Sequence, residues 1–271
     1  MQSVINITIP NGLSLTIRRL TCGLMIAINL VIGAVGAHAG EIRVAVASNF
    51  LAAENELAHA FEQKSGHHVI TSSGSTGKLT VQIMQGAPFD LFMAADTARP
   101  RKLIELGYAS ESGFTIYATG RLALWSPAAG SAEEAKAMLL KKRYKYLAVA
   151  NPKTAPYGAA AIETMRFLGV EQVDHMVFGE NIVQSYQFVK TGHADLAFVA
   201  LSQIIADNSA GAVWPVPEKL YPPLNQALVV VGAAAERQAV SSFLAFLKSS
   251  EAMAIIASYG YSVPAAAPVG E

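Results

Sequence analysis

The stretch "SSGSTGKLT", Ser72 to Thr80, holds three serines, two threonines, two glycines and one lysine in nine residues. These residue types cradle anions. A nucleotide-binding P-loop requires Gly, four residues, then Gly-Lys-Ser/Thr. Here Gly77-Lys78 is followed by Leu79, which has no hydroxyl to hold magnesium, and the first glycine position falls on Ser72. Two fixed positions fail. What remains is a Gly/Ser/Thr loop opening onto an amphipathic segment, with free backbone N–H groups, hydroxyl donors and the positive end of a helix. The plainer alternative is an N-cap, with Ser75 or Thr76 satisfying the first turn of that helix.

Other chemistry-bearing residues are less persuasive. His59, His67 and His68 have no carboxylate or cysteine at ligand spacing, and they read as solvated histidines. Asp90 and Asp96 flank "DLFMAAD"; on a strand they stand about 20 Å apart, too far for carboxylates sharing one bond, so they read as structural caps. Lys78, the lone cation in the loop, is expected to point to solvent. "LKKRYKY", Leu140 to Tyr146, reads as a solvated basic face, or a surface for a membrane partner. No Ser-His-Asp order with an elbow motif is found.

Short Val/Ala-rich runs alternate with helix-period segments, which indicates α/β architecture. "EIRVAVAS" (Glu41 to Ser48) reads as a buried strand. Leu51, Leu57, Ala58 and Phe61 stripe a helix ending near Gly66, and "HHVITSS" is a second strand. Leu79 and Ile83 mark the next helix, stopped by Gly86 and Pro88. Phe89 to Ala95 is a third strand, followed by a helix around Arg101 to Leu106. Phe114 to Pro127 and Tyr221 to Gly232 are long extended stretches. Between them "KYLAVANP", a helix from Gly158 to Leu168, a helix from Ile182 to Lys190 and a strand from Asp195 to Leu201 form a second α/β set. One C-terminal helix carries Phe243, Phe246 and Leu247. The pattern implies two lobes, residues 40–119 with 226–271 and residues 120–225, joined by two extended crossings near Thr119 and Gln226. Clefts between such lobes are where small ligands bind.

The chemistry of the opening loop recurs at four turns into helices: "VASNF" from Val46, "SGSTGKL" from Ser73, "TAPYGAAA" from Thr154 and "GENIVQS" from Gly179. Four such turns spread over both lobes favour one shared anion. With "GAPFDLFMAAD" and "ADLAFVALSQ", their succession resembles the periplasmic molybdate-binding proteins of ABC importers, over essentially the whole chain after the N-terminal region. The resemblance implies a type II periplasmic binding protein fold, with two α/β lobes, a two-strand hinge and a tetrahedral oxyanion in the cleft. It also implies ligand contacts from the hydroxyl and N–H of Ser48 and Thr76, and from the backbone N–H of Tyr157 and Ile182, with Ser75 as the alternative to Thr76. Some members add a tyrosine hydroxyl where this chain has Ala200; a water, Ser202 or the Tyr157 hydroxyl are the possible replacements. The implied ligand is molybdate or tungstate, with no further cofactor, no cation site and no catalysis. Sulfate or another oxyanion is the alternative within the binding class, and a periplasmic hydrolase or phosphotransferase the rival outside it. A site of donors alone suits unprotonated dianions, whereas protonated phosphate needs an acceptor.

The N-terminus bears on compartment. Arg18-Arg19 precede an apolar run from Cys22 to Ala37, and "AHA" closes it with small residues. This reads as a signal peptide, residues 1–39, for Sec export to the periplasm rather than a twin-arginine signal or a membrane anchor. Cys22 is the single cysteine and would leave with the signal, so the mature protein has no thiol and no membrane insertion. With 20 basic and 20 acidic residues and a formal net charge of +0, nucleic acid is not an expected partner. The expected partners are the oxyanion and an inner-membrane ABC permease, met by a monomer.

Overall fold

The computed structural model describes residues 39–170, 175–234 and 237–264. The signal-peptide reading, with Arg18, Arg19 and Cys22, lies outside the described residues. Two five-stranded sheets organise the chain. The first has the order β2-β1-β3-β10-β4, built from β1 (Glu41–Ala47), β2 (His68–Gly74), β3 (Leu91–Ala94), β4 (Ala109–Gly120) and β10 (Leu224–Val231). The second has the order β7-β6-β8-β5-β9, from β5 (Leu122–Ser126), β6 (Leu147–Ala150), β7 (Met176–Gly179), β8 (Leu196–Ala200) and β9 (Ala212–Pro215).

In each sheet three strands are parallel, and the strands nearest the crossings are antiparallel. Parallel strands covered on both faces read as unbroken apolar runs, and β1 obeys: Val44, Ala45 and Val46 are all fully buried. Ile42, Val44 and Val46 face α1 (Leu51–Ser65), whose Leu57 and Phe61 share that core with Phe243. Ala45 faces Leu79 and Ile83 of α2 (Thr76–Met84) and Leu103 of α3 (Ala98–Glu105). The second sheet is layered alike, with α4 (Ala132–Leu140) and α5 (Pro156–Phe167) on one face. On the other face lie α6 (Ile182–Lys190) and α7 (Leu201–Asp207).

The chain passes between the sheets at Arg121, between β4 and β5, and returns between β9 and β10. The extended stretch read as Phe114 to Pro127 is thus two strands in different sheets. The single C-terminal helix is two, α8 (Gln238–Phe246) and α9 (Ser250–Ser258). The break falls at Ser249, whose hydroxyl accepts from Ala252 N and starts a new helix. The α4 helix carries the same kind of signal, Ser131 accepting from Glu134 N.

Candidate functional site

Four chain turns converge between the sheets. At the first, β1 ends at Ala47 and the backbone tightens into a 3-10 turn over Ser48–Phe50. At the second, Ser75 is the extended residue before α2, and its carbonyl takes the first helical bond from Leu79 N at 3.0 Å. Its side chain caps nothing, and neither does that of Thr76, so the plain N-cap reading of the loop is incorrect. Thr76 Oγ1 instead accepts from Ala95 N at 3.2 Å, which leaves its own hydrogen free to donate.

At the third turn Pro156 fills the first position of α5, where a missing N–H costs nothing. Gly158 and Ala159 donate to the Ala155 carbonyl at 2.9 and 3.1 Å, so the N–H of Tyr157 is the first unpaired donor of that helix. At the fourth, Asn181 Oδ1 accepts from Val183 N and Gln184 N at 3.0 and 3.1 Å. The cap satisfies those two groups and leaves the N–H of Ile182 open.

Ser48, Ser75, Thr76, Tyr157 and Ile182 all line one small cavity of about 10 Å³, together with Asn49 and small or apolar residues. The sequence-expected donors are therefore brought together, Ser75 as well as Thr76. Among the described residues, no charged side chain lines the cavity. Its volume is room for about one water, far below the roughly 300–1,000 Å³ of pockets for drug-sized ligands, and too small for a nucleotide. Ser75 Oγ is buried with no hydrogen-bond partner among the described residues. Leaving such a group unpaired costs about 1–3 kcal/mol, which an oxygen-bearing ligand would recover.

The candidates to replace a tyrosine at Ala200 are turned elsewhere. Ser202 Oγ donates to the Asn49 carbonyl at 3.0 Å, and Ser202 does not line the cavity. The Tyr157 hydroxyl lies against Gly120, 2.0 Å from where a Cβ there would stand, and beside the Tyr261 hydroxyl. Burial raises the Tyr157 phenol well above its ordinary value and pushes that of Tyr261 up to about 12, so both are neutral near pH 7. Ala200 itself is buried, its N–H held by Gln203 Oε1 at 2.9 Å. Gln203 Nε2 also reaches the Ile182 carbonyl at 3.2 Å, steadying the fourth turn.

Sequence reading missed a buried brace beneath the cavity. Asn49 Nδ2 donates to Gln226 Oε1 at 2.8 Å and to the Tyr261 hydroxyl at 3.0 Å. The Tyr261 hydroxyl in turn donates to the Asn49 carbonyl at 2.6 Å. The brace ties the first turn to β10 and the C-terminal segment, far apart in the chain, and no local motif announces it.

A family model for bacterial extracellular solute-binding proteins matches residues 42–262. The chain belongs to this family. It is 43% identical to the molybdate-binding protein ModA of Azotobacter vinelandii, over 89% of this chain and 97% of the relative. With ModA of Rhodobacter capsulatus it shares 44% identity, over 87% and 94%. The solved periplasmic molybdate-binding protein of Azotobacter vinelandii superposes with a TM-score of 0.78 at 35% identity, covering 82% of this chain and 99% of that one.

The other singled-out residues of this solute-binding chain have structural work. His67 is buried, not solvated: its Nδ1 accepts from Gly40 N at 3.0 Å. His68 does have a carboxylate, Glu62 at 2.7 Å, while His59 is exposed. Asp90 accepts from Arg43 N at 2.8 Å and pairs with Arg237. Asp96 accepts from Arg99 N at 2.9 Å, the capping role expected of it. Lys78 is half exposed but not free, since its Nζ lies 2.8 Å from Glu180 Oε1.

Proposed function

We propose that this protein is an exported carrier that captures molybdate or tungstate in the cavity between its sheets and delivers it to an inner-membrane ABC permease. One observation carries the reading: the cavity is ringed by hydroxyls and open helix-start N–H groups and, among the described residues, has no charged side chain on its wall. A dianion without protons needs donors only, and neutral donors hold it without a counter-charge that any anion would satisfy. The similarity to two molybdate-binding proteins over nearly their whole length supports the same ligand. The proposed contacts are the hydroxyls of Ser48, Ser75 and Thr76 with the N–H groups of Thr76, Tyr157 and Ile182.

In this reading residues 40–119 with 226–271 and residues 120–225 are lobes that part to admit the anion and close on it, hinged where the chain crosses between sheets. Residues 1–39 are the export signal, and the periplasmic form is a monomer that begins at Gly40 and catalyses nothing. Among the described residues the wall carries no carboxylate, histidine, lysine or arginine, which supports a carrier over a hydrolase.

A thermal-shift series with molybdate, tungstate, sulfate, phosphate and ATP-magnesium tests the function. A ligand bound only by the native state raises Tm by mass action. Molybdate and tungstate are expected to raise it most. A larger shift with sulfate identifies a sulfate carrier, and one with ATP-magnesium overturns the binding-protein reading.

A further inference from the structure

Three contacts close the rim of the cavity, and none of their charged partners lines it. Gly77 N donates to the Thr154 carbonyl at 2.9 Å. Lys78 Nζ meets Glu180 Oε1 at 2.8 Å. Arg99 Nη2 donates to the Lys153 carbonyl at 2.9 Å, its guanidinium also paired with Asp96 on its own side. Every donor starts a helix on the first sheet, and every acceptor lies in a loop after a strand of the second. The two acceptor loops are joined at their starts by Asn151 N donating to the Gly179 carbonyl at 2.7 Å. A Cβ at Gly77 would stand only 3.0 Å from Thr154 Cα; glycine lets the two backbones meet.

We infer that Lys78 and Arg99 on one side, and the loops carrying Lys153, Thr154 and Glu180 on the other, form a clasp that closes behind the bound anion and sets how fast it leaves. The inference rests on the proposed carrier function. The chemistry of Glu180 supports it. A carboxylate two residues before the Ile182 donor repels an arriving dianion, yet here it is matched by a lysine two residues after Thr76. With the lobes apart, Lys78 is an unpaired cation at the cleft mouth and attracts the anion. With the lobes together, its charge passes to Glu180 and the anion is left to the neutral donors. Lys78 and Glu180 are thus positioning residues for closure, and neither is a ligand.

The test follows radiolabelled molybdate bound to the full-length mature protein and chased with excess unlabelled molybdate. Lys78→Met and Glu180→Gln are each expected to release it about two- to fivefold faster, the range of an exposed ion pair. The double variant is expected to be no faster than the quicker single one, since both remove the same pair. Association is expected to slow in Lys78→Met and not in Glu180→Gln, a split that a merely structural role would not produce. Unchanged release from both single variants, or multiplied effects in the double, overturns the clasp. Wild-type protein that holds no molybdate overturns the carrier function and the clasp with it. Wild-type protein that holds it, beside variants of equal release rate, overturns the clasp alone.

Discussion

Gly120→Ala is a sharp test of how the second sheet presents its donors. Gly120 ends β4 at the crossing, and its φ is not in the left-handed region, so alanine brings no backbone strain. The conflict is spatial. The new Cβ would stand 2.0 Å from the Tyr157 hydroxyl, 3.1 Å from its Cζ and 3.0 Å from Gln226 Nε2. Ordinary contact begins near 3.4 Å, so the phenol tip must retreat by about 1.4 Å within a close-packed interior. Tyr157 is fully buried in the first turn of α5, and its retreat drags the N–H proposed to meet the anion. Overpacking of this kind costs about 1–3 kcal/mol, and a lost hydrogen bond to a charged ligand about 1.5–3 kcal/mol. Molybdate affinity measured by calorimetry should fall about ten- to a hundredfold. Tyr157→Phe removes the offending oxygen, so Gly120→Ala/Tyr157→Phe should bind more tightly than Gly120→Ala alone. Affinity within threefold of wild type in Gly120→Ala, or no recovery in the double variant, would refute the idea that this notch positions the Tyr157 N–H.

Ser48→Ala and Thr76→Val should each weaken molybdate binding about ten- to a hundredfold without abolishing it, because backbone donors remain; titration calorimetry decides. Ser75→Ala should weaken binding yet raise the Tm of the ligand-free protein, since it removes a buried hydroxyl without a partner; a lower ligand-free Tm would contradict this. Glu54 is fully buried, and burial raises its carboxyl from 4.5 to about 7. The native state therefore keeps a proton that the unfolded chain releases, and stability declines as pH rises from about 4.5 to about 7, by up to about 3 kcal/mol. Glu54→Gln should gain Tm over wild type at pH 8 and not at pH 4.5, and an equal difference at both pH values would sink the assignment.

What the sequence disclosed depended on how local the signal was. The strand and helix periods of Glu41 to Ile83 were legible because each element is buried by its own stripe, and Gly66, with φ of 70° at the end of α1, marks a stop that glycine announces. The starts of α5 and α6 were legible as well, because Pro156 and Asn181 mark a helix start by their type and place. The crossing at Arg121 was not, since two consecutive strands of similar composition look like one. The brace of Asn49, Gln226 and Tyr261 was illegible for a stronger reason. Its hydrogen bonds join residues 177 and 212 positions apart, and each residue alone is an ordinary polar residue in an apolar stretch. Lys78 looks solvent-facing in the sequence because its partner, Glu180, is 102 positions away.

The two sides of the cavity differ in kind, and the difference bears on selectivity. Beside the fixed N–H of Thr76, the first-sheet side offers the hydroxyls of Ser48, Ser75 and Thr76, whose hydrogens rotate to meet whatever oxygen arrives. The second-sheet side, in the proposed reading, offers only the N–H groups of Tyr157 and Ile182, and those are fixed. Asn181 caps α6, Gln203 holds the Ile182 carbonyl at 3.2 Å, and the notch at Gly120 seats the Tyr157 ring. An adaptable side can capture an oxyanion of any size; a fixed side accepts only one whose oxygens reach the donors. With alanine at position 200 there is no adaptable hydroxyl from β8 to compensate for a shorter anion. Sulfate, with shorter bonds to oxygen than molybdate, should then lose its second-sheet contacts first. Discrimination between the two is a property of the rigid side, so Gly120→Ala should reduce the molybdate-to-sulfate affinity ratio, whereas Ser48→Ala should weaken both anions and leave the ratio nearly unchanged. Calorimetry with both anions on both variants separates these outcomes, and a ratio that shifts with Ser48→Ala but not with Gly120→Ala would place selectivity on the hydroxyl side instead.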